Sequence, residues 1–170
     1  MSFNVKVSND CKILVIHGKS YVSGSSGEIS ITNVDTGAAI FPNPVIVFSG
    51  ANNVGSVHID IGTFPSPNGL YKICLIENSV EQVCKPILIH CDLDCCLTKL
   101  TNELLACACD CPKCSTTLAK AQKIFLLLQS ALSTVSIASA DSSNQGYYTD
   151  ILNKYKKAVE LCDSSCGCDC

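Results

Sequence analysis

Cysteine has the most chemistry to offer in this chain: 14 of its 170 residues are cysteines, and they are clustered. Cys107, Cys109, Cys111 and Cys114 form one group. Cys162, Cys166, Cys168 and Cys170 form a second, far along the chain. Thiolates grouped this way hold zinc, which takes about four sulfurs in a tetrahedron at about 2.3 Å. Cys111-Pro112-Lys113-Cys114 is a C-x-x-C knuckle, suited to one half of such a site. Cys166-Gly167-Cys168 offers a tight turn, because Gly167 can adopt a left-handed backbone. Cys162 lies about one helical turn back, and Cys109 is near enough to compete. The expected ligands are therefore Cys109, Cys111, Cys114, Cys162, Cys166 and Cys168, holding one or two structural Zn2+ ions. Four thiolates leave no open coordination position, so the metal would brace the fold and not catalyse. The competing reading of the same thiols is disulfides formed after assembly or lysis. A redox C-x-x-C is disfavoured, because Cys111 does not follow a strand in a βαβ pattern.

The remaining candidates are weaker. His90, Cys91 and Cys95 could make a second metal site, but Cys95 and Cys96 read better as small core residues at a junction. Cys11, Cys74 and Cys84 stand singly in strand-like segments and read as core positions. His17 and His58 also lie in strand-like segments, with Asp60 two residues beyond His58. No serine elbow, phosphate loop, paired carboxylates or HExxH motif accompanies them. No catalytic or cofactor-binding residue is nominated, and the expectation is a non-enzyme.

The elements that must position these cysteines change character near residue 90. Eight of the ten glycines and five of the six prolines precede it. Phe3, Val5 and Val7 alternate, as do Val57, Ile59 and Ile61, which is the period of a half-buried strand. Lys12 to Ile16, Ile29 to Val34, Val45 to Phe48, Leu70 to Ile76 and Val83 to Ile89 bring the set to about seven. Turn-forming segments such as Ser23-Gly24-Ser25-Ser26-Gly27 and Asp35-Thr36-Gly37 separate them. Short strands at this spacing predict an immunoglobulin-like β-sandwich over residues 1–90.

Beyond residue 90 the apolar period becomes helical. Leu93, Leu97, Leu100 and Leu104 mark a first helix. Leu118, Ala121, Phe125, Leu128, Leu132 and Val135 mark a second, and Tyr148, Ile151, Tyr155, Val159 and Cys162 a third. The fold class predicted is α+β, with a cysteine-rich, zinc-binding three-helix domain over residues 91–170. An up-down-up course would carry both cysteine groups to one pole.

Composition narrows the partners. The net charge is −3, and all twelve basic residues are lysine. Without arginine's bidentate fork and with an acidic balance, a nucleic-acid surface is disfavoured. The first ten residues lack the basic start and apolar run of a signal peptide. Apolar runs such as Ile124 to Leu128 fall short of a membrane span. The expectation is a chain made in a reducing cytoplasm, with neither membrane nor nucleic acid as partner.

The segments "SNDCKILVI", "NGLYKICLIE", "CDLDCCLTKL", "CDCPKC" and "CDSSCGCDC", in that order, carry a resemblance. Together they are similar to a group of tailed-phage virion structural proteins of the crAss-like phage type. The resemblance covers most of the chain, although only the cysteine segments are specific. It implies a virion component of the neck, tail or capsid surface, assembled in the host cytoplasm. Its partners would be other virion proteins, met as a homo-oligomeric ring or array. The alternatives are a cellular zinc-binding adaptor and a secreted, disulfide-stapled protein.

Overall fold

Apolar alternation before residue 90 and helical spacing after it resolve, among the described residues, into seven strands followed by three helices. The structure is a computed structural model describing residues 2–20, 24–40, 42–77, 80–106 and 112–163, with backbone only for 80–82, 112–114 and 163. The strands are β1 (Ser2–Val7), β2 (Ile13–Lys19), β3 (Ser26–Asn33), β4 (Val45–Val47), β5 (Val54–Asp60), β6 (Gly69–Glu77) and β7 (Val80–Ile89). They form two antiparallel sheets, ordered β1-β2-β5 and β4-β3-β6-β7. The chain passes between sheets after β2, β4 and β5, the course of an immunoglobulin-like sandwich. The only helix in this half, among the described residues, is a 3-10 turn at Ile61–Thr63.

Period-two burial builds the sandwich interior. Leu14 and Ile16 of β2 face Ile29 and Ile31 of β3 and Ile73 and Leu75 of β6, all essentially inaccessible to solvent. Tyr71, at the start of β6, is wholly buried, and its hydroxyl donates to the Ser66 carbonyl five residues upstream. This is the tyrosine corner of such sandwiches, tying the turn before the strand to the strand itself. Phe64 packs edge-on against the same ring, with centroids 5.1 Å apart. Gly55 is required where β5 passes β4, because a Cβ there would stand 2.3 Å from the Val47 carbonyl oxygen.

Helices α1 (Cys91–Leu105), α2 (Pro112–Ala138) and α3 (Gln145–Asp163) form the second half. Asp92 and Asp94 place negative charge in the first turn of α1, where the helix dipole favours it. Leu70 and Leu88 are register partners on β6 and β7, and both point away from the sandwich interior. They join Leu93, Leu100, Ile124, Leu128, Tyr148 and Ile151 in one buried cluster. The helices thus cover the outer face of the larger sheet, and their core is continuous with it. The Thr134 hydroxyl donates to Asp150 Oδ2 at 3.0 Å, placing late α2 beside early α3. Tyr155 and Cys162 meet Asp92 and Cys96 respectively, so α3 runs in the same sense as α1. That is the up-down-up course.

Candidate interaction surface

The cysteines are disulfides where the structure describes them, and this overturns zinc. Cys162, expected as a metal ligand, is bonded to Cys96 on the second turn of α1, with Cα atoms 6.2 Å apart. Both side chains lie on the buried stripes of their helices, which bring them face to face. No group of three or more His, Cys, Asp or Glu side chains able to hold a metal occurs among the described residues. Cys109, Cys111, Cys166 and Cys168 lie outside the described residues, as does the side chain of Cys114. The expected meeting of Cys114 with Cys166 lies outside them too.

The other described cysteines are disulfide-bonded as well; Cys74 and Cys96 lie in the core as read, with sulfur partners that the sequence did not assign. Cys11, read as a core residue, bonds Cys91 across a separation of 80 residues. That bond removes Cys91 from a metal site with His90, and Cys95 is also disulfide-bonded. Cys74 and Cys84, likewise read as core, are register partners on β6 and β7 joined by a disulfide. Their Cα atoms are 4.1 Å apart, as in the close pairs of an antiparallel ladder. Cys11 is held for its partner by the turn between β1 and β2. Its N–H donates to the Ser8 carbonyl at 2.9 Å, and its φ of 58° is in the left-handed region.

The histidines and Asp60 have structural settings. His17 and His58 are exposed on the outer face of the smaller sheet. Asp60 accepts from the Gly62 N–H at 2.8 Å and so caps the 3-10 turn. His90 Nδ1 lies 3.1 Å from Asp94 Oδ2 but is too poorly aligned for a hydrogen bond.

A polar node sits where sandwich loops meet helices. Asp92 Oδ2 accepts from the Tyr155 hydroxyl at 2.8 Å, and Asp92 Oδ1 accepts from the Leu93 N–H at 2.9 Å. Burial raises the Asp92 pKa above its ordinary value, against the lowering effect of the Tyr155 hydrogen bond. Beside it, Lys156 of α3 reaches Asp35 of the loop after β3 at 2.6 Å. These groups border a cleft of about 440 Å³ between the loops and α3. With its carboxylate already engaged by Tyr155, the node joins elements and offers no nucleophile-base pair.

The outer side of α2 has a different character. Its buried stripe is Ile124, Leu128, Ala131, Thr134 and Ala138, packed on α3 and the sheet. That leaves Leu118 46 %, Phe125 50 %, Leu126 64 % and Ile137 54 % exposed. From Ile124 to Ala140 no residue is charged, although surface helices usually carry charge on the side away from the core. The Ser133 and Ser136 hydroxyls donate back to the Gln129 and Leu132 carbonyls, hiding much of their polarity. An apolar groove of about 620 Å³ runs between α1 and α2, lined by Leu97, Leu104, Leu118, Ala121 and Phe125.

Ser115–Ala138 is long and apolar enough, by length and composition, to cross a membrane, with 28 % of its most apolar window buried. Within this fold it is also the central helix of the bundle. The sequence reading put Leu118 and Phe125 on the packed stripe; the structure turns both outward. The signal that identifies the face is the charge-free run itself. Compared with protein-family models, with curated proteins and with solved structures, the chain finds no match.

Proposed function

We propose that the chain is a non-enzymatic structural protein that works by assembling with other proteins, as a virion component of a tailed phage. The observation that carries the assembly reading is the exposed, charge-free length of α2 on a body tied by disulfides. Apolar surface of this kind marks a protein or membrane contact. The virion setting rests on the resemblance of the cysteine segments. Disulfides accord with it, since they persist on virion surfaces and are rare in the reducing cytoplasm. In this reading the chain is made in the host cytoplasm, and its bonds close on assembly or release.

The secreted, disulfide-stapled reading draws on the same bonds. An adaptor built around zinc loses its metal. The test is to purify particles of the phage encoding the chain and digest them without reduction. The chain is expected in fixed proportion to the capsid protein, with peptides joined through Cys11–Cys91 and Cys96–Cys162. Absence from particles, with the chain found free in the medium, overturns the virion reading in favour of the secreted one.

A further inference from the structure

We infer that α2 pairs antiparallel with α2 of a second copy of this chain, through a seam on its outer face. This deepens the assembly reading and rests on it only for its biological setting. The seam is Ala119, Lys123, Leu126, Ser130, Ser133, Ile137 and Ala140. All seven are exposed, and their spacing alternates between four and three residues. That is the 3.5-residue period by which one helix presents a continuous edge to another. The buried stripe of α2 lies on the opposite side, so packing on α3 does not use these positions. Helical hydrogen bonding continues through the last of them, because the Ala140 N–H donates to the Ile137 carbonyl at 3.0 Å.

Charge selects both the partner and the orientation. The seam is neutral from Leu126 to Ala140, has a lysine near its start at Lys123, and is followed at once by Asp141. A parallel pair would set Lys123 beside Lys123 and Asp141 beside Asp141, which is repulsive. An antiparallel pair sets each Lys123 near the other copy's Asp141. In the same register Leu126 meets Ile137 of the other copy and Ser130 meets Ser133, so the arrangement is two-fold symmetric. The small serines at its centre let the two helix backbones approach closely.

Twenty-two residues of helix span about 33 Å. Such a strip is narrower than the roughly 800 Å² per partner of a standard interface. The dimer is therefore concentration-dependent.

The experiment is sedimentation of the full oxidised chain over a wide concentration range, together with three variants. Leu126→Lys, at a 64 % exposed position, is expected to keep the thermal midpoint and weaken the dimer at least tenfold. Lys123→Glu is expected to weaken it as well, and Lys123→Glu combined with Asp141→Lys to restore it. A chain that stays monomeric at every concentration overturns the inference, as does a dimer indifferent to Leu126→Lys. Failure of the double variant to restore pairing overturns the antiparallel register. A monomer that floats with phosphatidylcholine vesicles and loses this with Leu126→Lys replaces the second copy with a membrane. If the chain is found in virions while the α2 variants change nothing, this inference fails and the assembly reading stands. If it dimerises as described but is absent from virions, the virion reading fails alone.

Discussion

Tyr71 has no exposed surface, and its hydroxyl has a backbone carbonyl for a partner, so its two halves can be tested separately. Tyr71→Phe keeps the packing against Phe64 and removes only the hydrogen bond. It is expected to cost about 1–2 kcal/mol, since it also strips the Ser66 carbonyl of its partner. The measurement is the urea midpoint, which should fall with an unchanged slope. An unaltered midpoint would mean that the corner contributes shape alone. Asp92 gives a second test, in which pH is the variable. Burial raises its pKa in the fold above the ordinary 3.8, so the folded state holds its proton more tightly than the unfolded chain. The contribution is then fully present below the unfolded value and is lost as pH rises through the folded one. Asp92→Asn keeps an acceptor for Tyr155 without the titration. The stability of the wild type relative to this variant should therefore fall as pH rises through the carboxylate range; a difference that ignores pH sinks the account. At this scale the sequence was legible in part. The tyrosine could be noticed at the head of a strand, but the cysteine pairing could not. Fourteen thiols admit very many connectivities, and spacing alone favoured zinc. What decides between Cys96 and a metal for Cys162 is which faces of α1 and α3 touch.

Among the elements, α1 and α3 read correctly because each has one apolar side and one polar side. Leu93 and Leu100 of α1, and Tyr148, Ile151, Tyr155 and Cys162 of α3, are buried where the period placed them. The second helix did not yield in the same way. Ile124, Phe125, Leu126, Leu127 and Leu128 are consecutive, so any stripe drawn through them finds apolar residues. Only packing on α3 and the sheet chooses Ile124 and Leu128 over Phe125 and Leu126. Disulfides then tie these elements with unequal effect. Cys74–Cys84 spans a separation of 10 residues, whereas Cys11–Cys91 spans 80 and Cys96–Cys162 spans 66. Loop-closure entropy assigns about 2.7 kcal/mol to the first and about 4.5 kcal/mol to each of the others. Paired Cys→Ala replacements should follow that order in denaturant midpoint. If the Cys74/Cys84 pair proves the most damaging, native packing of the bond and not chain entropy governs its contribution.

For the molecule as a whole, the division near residue 90 was plain from the change of period, and the structure has β7 end at Ile89 and α1 begin at Cys91. Less plain was that the halves share a core. Leu70 and Leu88 belong by sequence to strands and by contact to the helical cluster. An alternating pattern says that a strand has two faces without saying what covers the second. The order β1-β2-β5 and β4-β3-β6-β7 was equally beyond reach, because strand neighbours are set by long-range packing. The bonds Cys11–Cys91 and Cys96–Cys162 also determine how the protein carries mechanical load. Tension applied at the two ends passes from residue 11 directly to residue 91, and from residue 96 directly to residue 162. The strands β2 to β7 and the whole of α2 are left off the load path. In single-molecule pulling, the oxidised chain should extend only through its ends, including the peeling of β1 from β2, with no unfolding of β2 to β7. Reduction should release about 280 Å of new length from the first loop and about 230 Å from the second, at about 3.5 Å per residue. Equal extensions before and after reduction would show that force reaches the sandwich in spite of its bonds. If the lengths differ as stated, the chain between residues 11 and 162 behaves under load as a short inextensible link.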